Sequence, residues 1–143
     1  MQVAKLWYPD GFEMTYRISP EALQVQVPPL LIHNFVENTI RHALHNGIVV
    51  HISLSASVSQ AIAEFIIADD GPGIDRELVE KINSESLETL DDNTHVGLVN
   101  SYQRIKYLLG EDATLRVISS PGCGCRIFIR FPVNHSQTNI LKE

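Results

Sequence analysis

The sequence predicts an α+β fold: a two-layer α/β sandwich in which a mixed sheet of about five strands carries helices on one face. Three observations lead there. Alternating apolar and polar runs come in turn-linked pairs. Helical stretches fall between those pairs instead of following every strand. The strand runs have one apolar and one polar side, as expected of a sheet covered on one face and partly solvated on the other.

The elements follow in order. Pro9-Asp10-Gly11 is a turn between two short extended runs. The second run, residues 12–18, sets Phe12, Met14, Tyr16 and Ile18 against Glu13, Thr15 and Arg17, and Ser19-Pro20 ends it. Pro28-Pro29 opens a helix over about residues 29–46, closed near Gly47. From Ile48 to Val58 apolar residues alternate with His51, Ser53, Ser55 and Ser57, and Ser59-Gln60 turns the chain into a strand from Ala61 to Asp69. Residues 75–83 read as a helix with Asp75 as N-cap. The polar stretch 84–94 (SESLETLDDNT) reads as a mobile loop. A helix from Gly97 to Leu109 stops at Gly110, and strands over 114–120 and 126–132 close the fold. The expected organisation is one domain over 1–143, with its core at about 12–132 and a frayed tail at 133–143.

Composition narrows the class. The chain has 143 residues, 44% hydrophobic and 20% charged, which suits a single globular core. Its net charge of -6 and pI near 5.4 argue against non-specific nucleic-acid binding, which needs a basic face. Cys123 and Cys125 are too close in sequence for a useful disulfide and too few for a zinc site, which points to a reducing compartment. No apolar run reaches the roughly 20 residues of a membrane span, and Lys5, Asp10 and Glu13 interrupt any signal peptide. Membrane contact is expected only through parts absent from this sequence.

Three segments carry candidate chemistry. On helix 29–46, Ile32, Phe35, Val36, Thr39, Ile40 and Ala43 share one side, and Asn34, Glu37, Asn38, Arg41 and His45 the other. A solvated face accounts for such a stripe. A ligand face accounts for it as well, because two asparagines at i and i+4 are poor helix formers, while amide oxygens suit Mg²⁺ and arginine suits phosphate. Strand 61–69 then runs into Asp69-Asp70-Gly71-Pro72-Gly73-Ile74, with Asp69 on the face of Ala63, Phe65 and Ile67. A plain turn is one reading. A carboxylate at an apolar face that needs a donor, with glycines allowing close backbone approach, is the other. Finally His95-Val96-Gly97-Leu98-Val99-Asn100 leads into a helix whose N-terminal amides favour an anion, with Arg104 one turn beyond Asn100. An ordinary helix start fits this third segment too.

Together and in this order, Asn34-Phe35-Val36-Glu37-Asn38, Asp69 to Ile74 and Val96-Gly97-Leu98 resemble the GHKL ATPase superfamily. The stretches from Pro28 to His42 and from Gly97 to Gly110 are similar to LytS/YesM-type sensor histidine kinases. The resemblance implies a GHKL (Bergerat) sandwich that binds ATP and Mg²⁺. It implies Asn38 as the Mg²⁺ ligand, and Asn34, Glu37 and Arg41 near the metal and phosphates in catalytic roles. It implies Asp69 on the adenine amino group, an adenine pocket shaped by Gly71, Gly73 and Ile74, and phosphate contacts from Val96, Gly97, Leu98, Asn100 and Arg104. Gly124, in Gly122-Cys123-Gly124-Cys125, closes the adenine side. The implied activity is that of the catalytic domain of a two-component sensor histidine kinase, in the cytoplasmic part of a membrane-bound bacterial sensor. The γ-phosphoryl would pass to a histidine on a helical segment of the same or a dimer-mate chain, and then to a response regulator. None of the six histidines lies in an acceptor motif, so the chain reads as the catalytic part alone. His95 stands where the family has a glycine, and Cys125 where it has a hydroxyl residue. These departures keep a non-catalytic nucleotide-binding regulatory module as an alternative, and a serine kinase of the anti-sigma-factor type shares the same loops.

Overall fold

Apolar residues at every second position put one side of each strand into the core. In the computed structural model, residues 2–8, 12–27, 32–37, 39–40, 50–84 and 105–133 are described, with 2–8 and 12 by backbone alone. They form strands β1 (Gln2–Tyr8), β2 (Phe12–Ile18), β3 (Val50–Ser59), β4 (Ile62–Asp69), β5 (Thr114–Ser119) and β6 (Cys125–Pro132). Helix α1 is described over 32–37 and 39–40, α2 spans Arg76–Asn83, and α3 is described over 105–109. The α+β class stands. The sheet has six strands among the described residues, one more than the expected five, because the run before Pro9 pairs as β1 outside the expected core.

The strand order is β1-β2-β3-β4-β6-β5. Among the described strands only β2 and β3 pair in parallel, and the crossover between them contains α1. Strand β6, last of the described strands, lies between β4 and the edge strand β5. Val50, Ile52, Leu54 and Ala56 of β3, Ala63, Phe65 and Ile67 of β4, Leu115 and Val117 of β5 and Ile127, Ile129 and Phe131 of β6 are buried on one face. Phe65 and Phe131 stack there with ring centroids 5.9 Å apart. From the helix layer, Phe35, Val36, Leu78, Ile82, Ile105 and Leu109 pack onto that face. The intervening residues of β3 and β4 are half-buried or exposed, so the far face is solvated as its alternation requires.

Three local departures have physical reasons. The β3–β4 turn falls on Gln60 and Ala61, one residue later than expected, with φ of 52° and 60° at its two centres. Both must be left-handed in the tight hairpin that matches strand twist. Asp75 occupies the N-cap of α2, yet its side chain makes no capping bond; the carbonyl of Asp75 accepts the first bond, from Val79 N at 3.0 Å. Glu13, on the side of β2 away from the core, is nevertheless only 5% exposed. Its Oε2 lies 3.1 Å from Nδ1 of its cross-strand neighbour His51, which offsets the cost of burying a carboxylate.

Helix α2 also protects the sheet edge. The side chain of Asn83 donates from Nδ2 to the Val117 carbonyl at 2.9 Å and accepts from the Val117 N–H at 2.8 Å. An amide on a helix thus replaces the peptide of a missing strand along β5, where free N–H and C=O groups invite pairing with another chain. Asn83→Ala is expected to cost about 2 kcal/mol, the scale of two hydrogen bonds, by denaturant unfolding. The same variant should show a new concentration-dependent dimer on size exclusion.

Candidate functional site: a polar row where the core ends

The registers of β4, β6 and β5 bring three positions into one transverse row: Asp69 pairs with Cys125, and Cys125 with Ser119. All three have the parity of the buried side chains. Asp69 follows Ala63, Phe65 and Ile67; Cys125 precedes Ile127, Ile129 and Phe131; Ser119 follows Leu115 and Val117. One row further in, the same strands carry Ile67, Ile127 and Val117, all buried. The apolar core therefore ends at a carboxylate, a thiol and a hydroxyl lying side by side.

Two glycine-bearing loops meet above this row. Asp69 Oδ1 accepts the Gly71 N–H at 2.9 Å, so part of the carboxylate is held within its own loop. Asp70 is tied to β3: its Oδ1 accepts the His51 N–H at 2.6 Å, and its own N–H donates to the His51 carbonyl at 3.2 Å. From the other loop, Gly122 N–H donates to the Pro72 carbonyl at 2.8 Å. The Ser119 hydroxyl joins both loops, accepting the Ile74 N–H at 2.8 Å and donating to the Gly124 carbonyl at 2.6 Å.

Glycine is required at two of these positions. Gly73 has φ of +78° and Gly124 of +73°. A methyl group at Gly73 would overlap the Ser120 carbonyl oxygen, and one at Gly124 the carbonyl oxygen of Asp69. The loops thus touch backbone to backbone, at a distance that excludes any side chain.

Cys125 is free and buried, whereas Cys123, at the turn, is free and exposed. Burial, and next the neighbouring Asp69 carboxylate, push the Cys125 thiol up to about 12, with a contact to Ser119 opposing in part. It is therefore a neutral S–H beside a charged carboxylate at physiological pH.

On α1 the expected apolar side is the buried one: Phe35 and Val36 are in the core, and Ile32 and Ile40 pack against it. Asn34 is half-buried, and Glu37 is exposed with His33 Nε2 3.4 Å from its Oε2. Of the sequence-predicted site, the fold unites Asp69, Gly71, Gly73, Ile74 and Gly124. Asn38, Arg41, Val96, Gly97, Leu98, Asn100 and Arg104 lie outside the described residues, as do His95 and the loop expected over 84–94 beyond Ser84. Sequence reading missed Ser119 and the lock between Asp70 and His51. For Ser119 the signal was a polar residue at core parity, the same signal that singled out Asp69. For His51 there was none, because its backbone makes the contact.

Two measurements check this geometry. Gly124→Ala should destabilise by at least ~2 kcal/mol, since left-handed backbone alone costs an alanine about 1–2 kcal/mol and the overlap with Asp69 adds to it; urea unfolding reads the loss. A thiol reagent at neutral pH should label Cys123 rapidly and Cys125 only on unfolding. The folded protein retains the Cys125 proton more tightly than the unfolded chain, whose thiol titrates near 9.0. Stability should then fall as pH rises from about 9 towards about 12, and less so in Cys125→Ala.

Residues 28–135 match the family described as histidine kinase-, DNA gyrase B- and HSP90-like ATPase. The chain is 32% identical over 137 residues to the sensor protein LytS of Staphylococcus epidermidis, covering 95% of this chain and 23% of LytS. Among solved structures, a blue-light activated histidine kinase of Erythrobacter litoralis superposes with a TM-score of 0.64 at 21% identity, over 90% of this chain and 37% of that one. The histidine kinase ThkA, solved in complex with the response regulator protein TrrA, gives a TM-score of 0.64 at 19% identity, over 87% of this chain and 35% of ThkA. The chain spans less than a quarter of the LytS it matches. It belongs to the histidine kinase-, DNA gyrase B- and HSP90-like ATPase family and is a relative of the sensor protein LytS.

Proposed function

We propose that the chain, as one domain over 1–143 with its core at 12–132, holds Mg-ATP and transfers the γ-phosphoryl to a histidine of a separate helical segment. The observation that carries this is the Asp69–Cys125–Ser119 row under two interlocked glycine loops. A carboxylate at the rim of an apolar core accepts hydrogen bonds and has apolar surface beside it. Those are the two needs of an adenine, whose amino group donates and whose ring seeks a dry face. Gly71 holds that carboxylate through its N–H, while Gly73, Ile74 and Gly124 lock the two loops around it.

The phosphates would extend towards Val96, Gly97, Leu98, Asn100 and Arg104. Asn38 would offer its amide oxygen to Mg²⁺, with Asn34, Glu37 and Arg41 alongside. Among the described residues no three His, Cys, Asp or Glu side chains cluster as metal ligands. Amide and carboxylate oxygens are hard donors, which suits Mg²⁺ held mainly through nucleotide oxygens. Bound there, Mg²⁺ would neutralise phosphate charge. In the transfer, a histidine nitrogen forms a bond to the γ-phosphorus as the bond to the ADP oxygen breaks. Little covalent work falls to the protein; positioning and charge neutralisation by Arg41, Arg104 and helix amides supply the catalysis. The ThkA–TrrA complex supports a response regulator as the next acceptor. Membership among LytS-like sensors supports a cytoplasmic setting beside a membrane anchored elsewhere. No helix among the described residues is long and apolar enough to cross a membrane.

The neutral Cys125 thiol, a weaker hydrogen-bond partner than a hydroxyl, favours one second reading: a nucleotide-binding regulatory module that transfers nothing. Calorimetry with ATP in the presence and absence of Mg²⁺ tests binding. Asp69→Ala and Asn38→Ala should each cost about 1–3 kcal/mol, and unchanged affinity in both would reject the site. Mixing the chain with an acceptor-histidine fragment and γ-labelled ATP separates the two readings. Acid-labile label on the fragment is expected, and binding without label would leave the regulatory module.

A further inference from the structure

We infer that the sheet face opposite the described helices docks a carboxylate-rich amphipathic helix of a partner protein. The outward rows of the sheet follow from the strand registers. One row runs Arg17, Ser55, Ile66, Phe128, Arg116 from β2 to β5, and the next runs Thr15, Ser53, Ala68, Arg126, Ile118. Arg130 pairs with Glu64 in a third row, at 3.0 Å.

Charge is distributed unevenly over the molecule. Among the described side chains of β2 to β6, this face carries Arg17, Arg116, Arg126 and Arg130 against two carboxylates, Glu13 and Glu64, in a chain of net charge -6. Of those two carboxylates, Glu13 is buried against His51 and Glu64 is engaged by Arg130. Among the described residues no carboxylate pairs with Arg17, Arg116 or Arg126, and all three are exposed. A cationic face on an acidic protein selects an acidic partner.

Shape and apolar surface narrow the occupant. Arg17 stands on β2, and Arg116, Arg126 and Arg130 on β5 and β6. In the row they share, Arg17 and Arg116 are four strand spacings apart, about 19 Å at ~4.8 Å per strand. Between these rails lie Ser53, Ser55 and Ser57 of β3 and Glu64, Ile66 and Ala68 of β4. A helix of about 10–12 Å diameter fits that width with both flanks within reach of arginine. Ile66 and Phe128 are half-buried in the row between Arg17 and Arg116, and Ile118 and Ile62 are 54% and 37% exposed. That is apolar surface for a stripe of leucine-sized side chains to cover. The face lies opposite the helix layer and shares no side chain with the nucleotide site, so the inference is independent of the proposed function.

The test uses the full chain and a fluorescein-labelled helical peptide with leucines along one stripe and glutamates on both flanks. At low ionic strength the peptide should bind, by anisotropy, and weaken as salt rises. Arg116→Glu with Arg126→Glu, and separately Ile118→Asp, should each reduce affinity at least tenfold and leave Mg-ATP binding as it is in the unaltered chain. No peptide binding at the lowest salt, or binding indifferent to both sets of substitutions, overturns the inference. So does tighter binding of a single-stranded thymidine oligonucleotide or of phosphatidylserine vesicles through the same arginines. Loss of nucleotide binding in the unaltered chain would count against the proposed function alone.

Discussion

The hydrogen-bonded register between β4 and β6 governs the rest of the molecule, because it decides what lies next to Asp69. Strand β6 inserts between β4 and β5 in antiparallel sense, so the outgoing end of β4 meets the incoming end of β6. Asp69 thereby faces Cys125, and the loop before β6 folds over the loop after β4. A slip of one residue would turn the Cys125 side chain to the open face and bring a different backbone unit against Gly73. The glycines enforce the register in return, since only bare backbone fits where Gly124 meets Asp69 and Gly73 meets Ser120.

The two faces of the sheet divide the work by the same alternation. Core-parity positions bury Val, Ile, Leu and Phe against the helices until the last row, where polarity replaces them and the site begins. Opposite-parity positions carry serine on β3 and arginine on β2, β5 and β6, and they meet water. Glu13 breaks the division. It is a carboxylate at outward parity that is buried all the same, held by His51, whose backbone in turn anchors Asp70. One residue of β3 therefore connects the β2 side of the sheet with the loop next to Asp69.

Edge management explains a residue that the site leaves unused. β5 lies outermost beside β6, and its free peptide groups at Val117 would be exposed without the Asn83 side chain. The polar end of α2 is thus a structural requirement of the sheet, set by a helix that buries the apolar Leu78 and Ile82.

Strand and helix identities were legible in the sequence because they rest on local periodicity. The two-residue repeat of β3 and β4, the apolar side of α1, and the turn residues between them depend only on neighbours a few positions apart. Asp69, Gly71, Gly73, Ile74 and Gly124 were legible as candidates for the same reason, aided by the order of the motifs. The position of β6 in the sheet, the contact of Gly124 with Asp69, the role of Ser119 and the burial of Glu13 were not. Each depends on which strand lies beside which, and that pairing is settled by the burial and backbone hydrogen bonding of the whole sheet. The amino-acid order by itself determined which side of every strand is apolar and where carboxylate, thiol and hydroxyl interrupt that side. Tertiary structure alone decided that these three interruptions form one row, because only long-range strand pairing converts separate positions along a chain into neighbours about 5 Å apart.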